Sequence, residues 1–518
     1  MFKNKLVAFI LLLSFLEGAA VMTVELVGAK ILAPVFGTSL YVWAATLGIT
    51  LFALTTGYYT GGYISSKSKN VTSIYLVLLL AGLFTLLMPL SSYYILKATI
   101  NLDVRLGASI SLLVFMLPPL LFMGMTSPLI IHFFTQHAEK AGKSAGTVYA
   151  ISTLGGILST FLTGFYLLPE LGIKYTILIS GTTLILPTVI ALIYHKQYQD
   201  LLLLIVIFPI SYFLFNNNFG ASEYKILYNK DGILGQVKIV EHPYITKEND
   251  TIQVRAMLVN NTAQTITNLN KPGEDLWDYA YYFPAAASIL PKGSKALLCG
   301  LGGGTIVRQF QKLGFEMEVV EIDERIKETA IKYFDVRTEI PIHVDDARHF
   351  INKTEKKYDL VTYDMFLSET PPAHLFTKEC FEEVKNILTD KGMIMMNFYG
   401  FISGEKGKAA RSVYNTLVSC GYHVNLLVTP ADNEFERNLI FLASLDKKDF
   451  STISYAEDDK KTLSDLTKNF LDVNKIDFSD APVLTDNKPQ LEQIYLPAAI
   501  AWRQGVNEQY TKVLLKKI

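Results

Sequence analysis

Cysteine is nearly absent from this chain of 518 residues: Cys299, Cys380 and Cys420 stand far apart, and neither a CxxC pair nor an HExxH occurs. An odd, scattered set offers no disulfide framework and no zinc site. Each reads instead as a small buried core residue. Charge is scarce as well, 18% of residues against 50% apolar, and it is unevenly spread. Residues 1–200 hold 11 Lys and Arg against 6 Asp and Glu, which leaves 36 against 42 for the rest. A net negative remainder lacks the clustered basic surface that phosphate binding needs, so no nucleic-acid partner is expected. Acidic balance suits a cationic substrate, although solubility alone accounts for most mildly acidic surfaces.

In place of charge, the first two hundred residues have long apolar runs, at 40–66, 71–96, 106–136, 145–169 and 175–194. Each is near or above the roughly 20 residues that cross a bilayer as helix. Two more flank them: 6–29, which carries Glu17 and Glu25, and 201–215, which is short. The opening run continues without a small-residue cleavage site, unlike a signal peptide. Residues 1–216 are therefore expected to form a multi-span α-helical membrane bundle of six or seven helices. Lys3 with Lys5, Lys67 with Lys69, Lys140 with Lys143, and Lys196 fall in alternate loops, the side that the positive-inside rule assigns to the cytoplasm. Six spans would keep the rest of the chain on that side, and seven would put it outside. The segment 201–215 decides between them, as a crossing or as an interfacial helix. The expected location is the cell (inner) membrane, with the soluble part in the cytoplasm.

From about residue 220 the texture changes to mixed charge and alternating strands. YNKDGILGQVKIVEHP and TIQVRAMLVNNTAQTITN alternate apolar and polar residues around the dipeptides Asp231-Gly232 and Asn260-Asn261, which are hairpin signals. They predict a small antiparallel β domain over 220–270. PGEDLWDYAYYFPAAASIL, 272–290, has acids near its start and later aromatic and alanine spacing, which predicts a helix. Next, KALLCGLGGG is an apolar strand running into glycines, TIVRQFQKLG has helical spacing, and EMEVVEID is a strand ending in acids. Strand, glycine turn, helix and acid-tipped strand form the phosphate- or nucleoside-binding half of a doubly wound fold. Residues 271–518 are thus expected to be an α/β Rossmann-like domain, and the S-adenosylmethionine type of that domain is what the resemblance given below implies.

The glycine spacing discriminates among cofactors. Gly300, Gly302 and Gly304 give G-x-G-x-G, with Thr305 where the dinucleotide fingerprint wants a third small residue. No Gly-Lys-Ser/Thr follows, so this is not a Walker loop. Glu321, at the tip of the second strand, is placed to hold a ribose diol. Asp345-Asp346 and Asp364 end two further strands. In this fold ligands collect outside the carboxyl ends of the strands, so Glu321, Asp346 and Asp364 are expected to face one crevice. One of Asp345 and Asp346 is also expected to cap a helix.

These motifs, with VNNTAQT, DYAYY, VVEID, VDDAR, YDLVTYD and LTDNKPQLE, resemble the spermidine synthase (polyamine aminopropyltransferase) family over about 222–495. VELVGAKILAPVFG and GYYTGG more loosely resemble its membrane-fused members. The resemblance implies aminopropyl transfer from decarboxylated S-adenosylmethionine to a small amine, with no metal. It implies a donor held by the turn Gly300, Gly302 and Gly304, by Glu321 on the ribose and by Asp346 on the adenine amino group. Gln264 and Tyr281 would stand beside the substrates, and Asp364 would accept a proton from the attacking amine. The chain departs from the family's pattern in having Gly304-Thr305 where soluble synthases have an Asp in the loop, Tyr282 for a His, and MFLSETPP for an Asp-Pro. A loop without an acid favours a donor that keeps its carboxylate, so an S-adenosylmethionine-dependent methyltransferase of the same fold is the alternative. A non-catalytic polyamine or nucleoside sensor, transporter-like in kind, is a third reading. The lipid bilayer and a small amine are the expected partners, and a homodimer is left open.

Overall fold

The computed structural model describes the chain apart from residues 1, 68–69, 136–140, 203–223, 233, 247–248, 272, 367–369, 432, 452, 454–465, 507–509 and 511–518. The sequence segment 201–215 lies almost wholly outside the described residues. The chain divides into two compact units, residues 1–221 with 230–236 and 507–518, and residues 222–229 with 237–506.

The first unit is helical: α1 (Phe2–Phe36), α2 (Leu40–Lys67), α3 (Thr72–Thr99), α4 (Val104–Phe115), α5 (Leu117–Phe134), α6 (Ala141–Leu162) and α7 (Gly172–Tyr194). The apolar run expected over 106–136 is two helices, parted at Met116. The reason is local, because Pro118 and Pro119 lack the N–H groups that would carry α4 onward. A nine-residue π-helical stretch, Thr163–Leu171, joins α6 to α7, and Gly172 at φ 76° marks the break. Among the described residues five segments are long and apolar enough to cross a membrane, the last being Ala141–Tyr194 with its internal break.

Small residues set how closely these helices meet. A Cβ on Gly155 would lie 2.1 Å from Phe15 O, and one on Gly61 would lie 2.5 Å from Met125 O, so α6 meets α1 and α5 meets α2 at backbone distance. Along the α1–α6 seam Ser152 Oγ donates to Glu17 Oε2 at 3.0 Å, and Thr23 and Ser159 hydroxyls lie 2.7 Å apart. Polar groups removed from water are thereby paired with one another.

The second unit begins with a four-stranded sheet, β1 (Lys225–Lys230), β2 (Val237–Ile245), β3 (Thr251–Val259) and β4 (Thr262–Asn268), in that order. β2 with β3 and β3 with β4 are antiparallel. Asn260 and Asn261 join β3 to β4 with φ 50° and 61°, the left-handed pair that a two-residue primed turn demands. Asp231-Gly232 forms no such turn; the connection there runs over 231–236 and needs a further positive-φ glycine, Gly235.

A seven-stranded sheet follows, in the order β10-β11-β9-β8-β5-β6-β7. Its strands are β5 (Lys295–Cys299), β6 (Glu316–Glu321), β7 (Ile342–Val344), β8 (Tyr358–Tyr363), β9 (Leu388–Tyr399), β10 (His423–Val428) and β11 (Asn438–Ser444). β5 to β9 are parallel, and β11 is antiparallel to both neighbours. The helices are α8 (Tyr279–Ala287), α9 (Thr305–Lys312), α10 (Glu324–Tyr333), α11 (Ala347–Lys353), α12 (Lys378–Lys385), α13 (Lys408–Ser419) and α14 (Leu491–Val506).

Strand residues go alternately to the two faces. Leu297, Cys299, Val361, Ile394 and Met396 pack with α12 and α13 residues such as Phe381 and Val413. Ala296, Leu298, Val319, Leu360 and Met395 pack with Phe283, Val307 and Ala330 on the other face. Both faces are covered, which is why these strands read as nearly unbroken apolar runs. From β5 the chain steps outward through β6 and β7, then returns to β8 on the other side. The β5–β8 junction is therefore the topological switch point where this fold opens a crevice. The fold class expected from the sequence, apolar helices followed by strands and a Rossmann-like α/β domain, is the one found.

Candidate active site

The crevice is built on the turn that leaves β5. Gly300, Gly302 and Gly304 all have positive φ, at 89°, 51° and 71°. At Gly300 a Cβ would sit 2.2 Å from the Asp364 carbonyl oxygen, and at Gly304 2.2 Å from Val336 Cγ2. Bare main chain is thus required by the protein's own packing, as well as by any ligand. The turn is held from outside by Thr265 of β4, whose Oγ1 accepts from Gly303 N–H at 2.7 Å.

Glu321 ends β6, buried beside this turn. Its Oε2 accepts from Leu301 N–H and its Oε1 from Asp323 N–H, each at 2.9 Å. Burial pushes its carboxyl up to about 7 against these bonds. Each oxygen has a further lone pair, so a ribose diol is a chemically suitable partner.

Asp364 follows β8, and its N–H is tied to Cys299 O at 3.0 Å. Its Oδ1 accepts from Asn397 Nδ2 at 3.0 Å and its Oδ2 from the Tyr279 hydroxyl at 3.3 Å. Asn397 is oriented in turn by Asn438, whose Nδ2 donates to Asn397 Oδ1 at 2.9 Å. Burial pushes Asp364 up to about 6, opposed by the Asn397 and Tyr279 bonds. A half-buried carboxylate that has lost part of its hydration and kept two donors is suited to accept a proton near neutral pH.

Asp346 caps α11, its Oδ1 accepting from Arg348 and His349 N–H, while its Oδ2 takes His374 Nε2 at 2.9 Å. Burial raises its carboxyl, but the His349 N–H and His374 outweigh this and hold it below the usual range. Asp345 N–H donates to Glu321 O at 3.2 Å, which sets the Asp345-Asp346 pair next to Glu321.

Gln264 lies one residue before Thr265, with its own carbonyl oxygen 3.6 Å from where a Gly302 Cβ would be. The Tyr281 hydroxyl is engaged with the main chain of Asp275, accepting from its N–H at 2.9 Å and donating to its O at 3.1 Å. The tyrosine bonded to Asp364 is Tyr279.

Three residues of this crevice escape a reading of the sequence: Tyr279, Asn397 and Asp275. The helix expected over 272–290 begins only at Tyr279. The stretch before it pairs with β4 through the Thr267–Asp275 bridge. This frees Asp275 to turn inward, where it is 5% exposed. Its Oδ2 accepts from Thr305 Oγ1 at 2.8 Å and its Oδ1 from Trp277 N–H at 2.9 Å. Burial pushes Asp275 up to about 6, and the charge of Asp364 adds to the effect. Among the described residues no group of three or more His, Cys, Asp or Glu is placed to hold a metal ion.

Residues 284–401 match the family model of the spermine/spermidine synthase domain. A probable polyamine aminopropyl transferase of Bifidobacterium longum is 26% identical over 232 residues, 41% of this chain and 52% of that protein. An N-terminal histidine N-methyltransferase of Emericella nidulans is 34% identical over 116 residues, 21% of each chain. Polyamine aminopropyltransferase 2 of Aquifex aeolicus is 22% identical over 431 residues, 80% of this chain and 83% of that protein. The chain thus spans about half the length of the first of these relatives, and a fifth of the second. The Aquifex match is too long to be confined to the residues after 221, so it reaches into the helical unit. The C-terminal part of the chain is thus similar to the spermine/spermidine synthase domain, and the relatives named are, by their names, transferases.

Proposed function

We propose that the chain is a membrane-bound aminopropyltransferase that moves a propylamine group from decarboxylated S-adenosylmethionine to a small amine. One observation carries the reading: Glu321 and Asp275 are buried and Asp364 is half-buried around one glycine turn, and none of them forms a salt bridge among the described residues. Carboxylates drawn out of water without an ion-pair partner are costly, and a sulfonium donor would bring positive charge beside them. In the reaction the neutral amine nitrogen attacks the methylene carbon next to sulfur. The C–S bond breaks, and its electron pair leaves with sulfur as the neutral thioether methylthioadenosine. The new C–N bond makes the nitrogen cationic, and Asp364 takes its proton. Gly300, Gly302, Gly304, Glu321 and Asp346 would hold the nucleoside, with Gln264 and Tyr281 beside the substrates. Tyr279 and Asn397 fix the Asp364 carboxylate for the attack.

The proposal includes the membrane. We take residues 1–216 as the bundle, 220–270 as the small β domain and 271–518 as the transferase domain, with the catalytic part in the cytoplasm where the donor is made. The five long apolar helices support this part of the reading.

The histidine N-methyltransferase relative favours a second reading, methyl transfer from intact S-adenosylmethionine. Incubation of the purified protein with each labelled donor and a diamine separates the two. Methylthioadenosine formed from the decarboxylated donor alone is the expected result; adenosylhomocysteine from the intact donor would replace the first reading by the second.

A further inference from the structure

His374 has no part in the chemistry so far, yet its ring closes on the acid that the resemblance sets on the adenine amino group. It lies in a short 3-10 turn, Ala373–Leu375, between β8 and α12. The main chain there is pinned. Ala373, Leu375 and Phe376 belong to the core on the α12 and α13 face of the sheet, and Arg348 Nη1 donates to His374 O at 3.1 Å. Arg348 is clasped in turn by Glu383 and Asp486, each 2.7 Å from its Nη2. The side chain of His374, 49% exposed, therefore reaches Asp346 from a fixed base.

The two oxygens of Asp346 are unlike. Oδ1 is filled by main chain, accepting from Arg348 and His349 N–H at 2.9 and 3.1 Å. Oδ2 has no main-chain donor among the described residues and takes His374 Nε2 at 2.9 Å. An ionised carboxylate only accepts, so Nε2 carries the hydrogen, and one lone pair on Oδ2 is left for a ligand. Asp345 offers no alternative, since His349 Nδ1 engages both its oxygens at 2.9 and 2.7 Å. We propose that His374 is a positioning residue for the nucleobase: by holding Oδ2 of Asp346 it aims the remaining lone pair at an exocyclic amino group, and so makes the site choose adenine over hypoxanthine. The inference rests on the reading of Asp346 as the partner of the adenine. Adenine offers an N–H donor at that place, whereas hypoxanthine offers a carbonyl oxygen there and its donor one ring position away, at N1. A fixed carboxylate rejects the second base, and one free to turn could follow the donor to N1.

Equilibrium binding of methylthioadenosine and methylthioinosine to the full chain in detergent tests this, because the two ligands differ only in the base. The unaltered protein should prefer methylthioadenosine by about tenfold or more. His374→Ala should cut that ratio by about fivefold or more, with methylthioinosine bound no more weakly than before. His374→Gln keeps an N–H donor and should restore most of the preference. A ratio unchanged in His374→Ala would overturn the inference. So would an equal loss for both ligands, which would make His374 a prop of its turn, or a gain in methylthioadenosine affinity, which would make the ring a competitor of the base. Equal binding of both ligands by the unaltered protein would instead bring down the assignment of Asp346 to adenine, and the inference with it. Failure of the unaltered protein to bind either would bring down the nucleoside reading as a whole.

Discussion

Asp364 owes its orientation to a relay of amides: Asn438 turns Asn397, and Asn397 presents its Nδ2 to Oδ1. Asp364→Asn places a second amide against the first and removes the proposed proton acceptor. We expect turnover to fall by about a hundredfold or more, the range for a lost general base, with methylthioadenosine affinity within about tenfold of the original. Because burial pushes Asp364 up to about 6, the rate should rise with pH through that value, and the variant should lack this limb. Glu321→Gln turns an NH2 toward one of two main-chain N–H donors. It should weaken nucleoside binding and also lower stability by about 1–3 kcal/mol, the penalty for a buried unpaired donor, measurable by thermal unfolding without ligand. The glycines, Glu321 and Asp364 are legible in the sequence because a glycine turn and strand-end acids are local signals. Asp275, Tyr279 and Asn397 are not, because what brings them to the crevice is the pairing of residue 275 with β4 and the side-by-side placement of β8, β9 and β11.

At the scale of elements, β5, β6, β7 and β8 are legible because each is a short stretch that runs into glycine or an acid, whereas β9, twelve residues with Asp390 and Lys391 inside it, is not. The helix expected over 272–290 was too long because acids that look like a helical first turn belong to a strand-like segment. The run 106–136 hid a break, since composition does not report which N–H groups two successive prolines remove. The α1–α6 contact supplies a test of the helical unit. Gly155→Leu would force a side chain into the Phe15 carbonyl, and Cβ there already lies 2.1 Å from it. We expect loss of the folded helical unit, seen as aggregation on size-exclusion chromatography in detergent, whereas Gly142→Ala, with nothing within 4 Å, should be neutral.

For the whole molecule, pH and ligand charge are coupled. Burial pushes Asp364 and Asp275 up to about 6 and Glu321 up to about 7. Folded values above the ordinary carboxylate range mean that protonation stabilises the fold fully below about pH 4, and that this contribution is lost as pH rises through 6 to 7. The ligand-free protein should therefore show a Tm contribution from these groups that declines between pH 5 and 8, and saturating cationic donor should recover most of it at the high end. A Tm indifferent to both would contradict the burial of these groups. Side chains such as Tyr59, Phe165 and Leu51, 80%, 69% and 65% exposed, face outward from the helical unit, and we expect the protein to remain in the pellet after alkaline carbonate extraction of membranes. The placing of β11 has one last consequence. Asn438 begins that strand, beyond the matched stretch 284–401, so the amide that orients Asn397 comes from outside the segment shared with the family model. Asn438→Ala would leave Asn397 free to swivel and should lower transfer while sparing nucleoside binding, so that the two come apart in a single substitution.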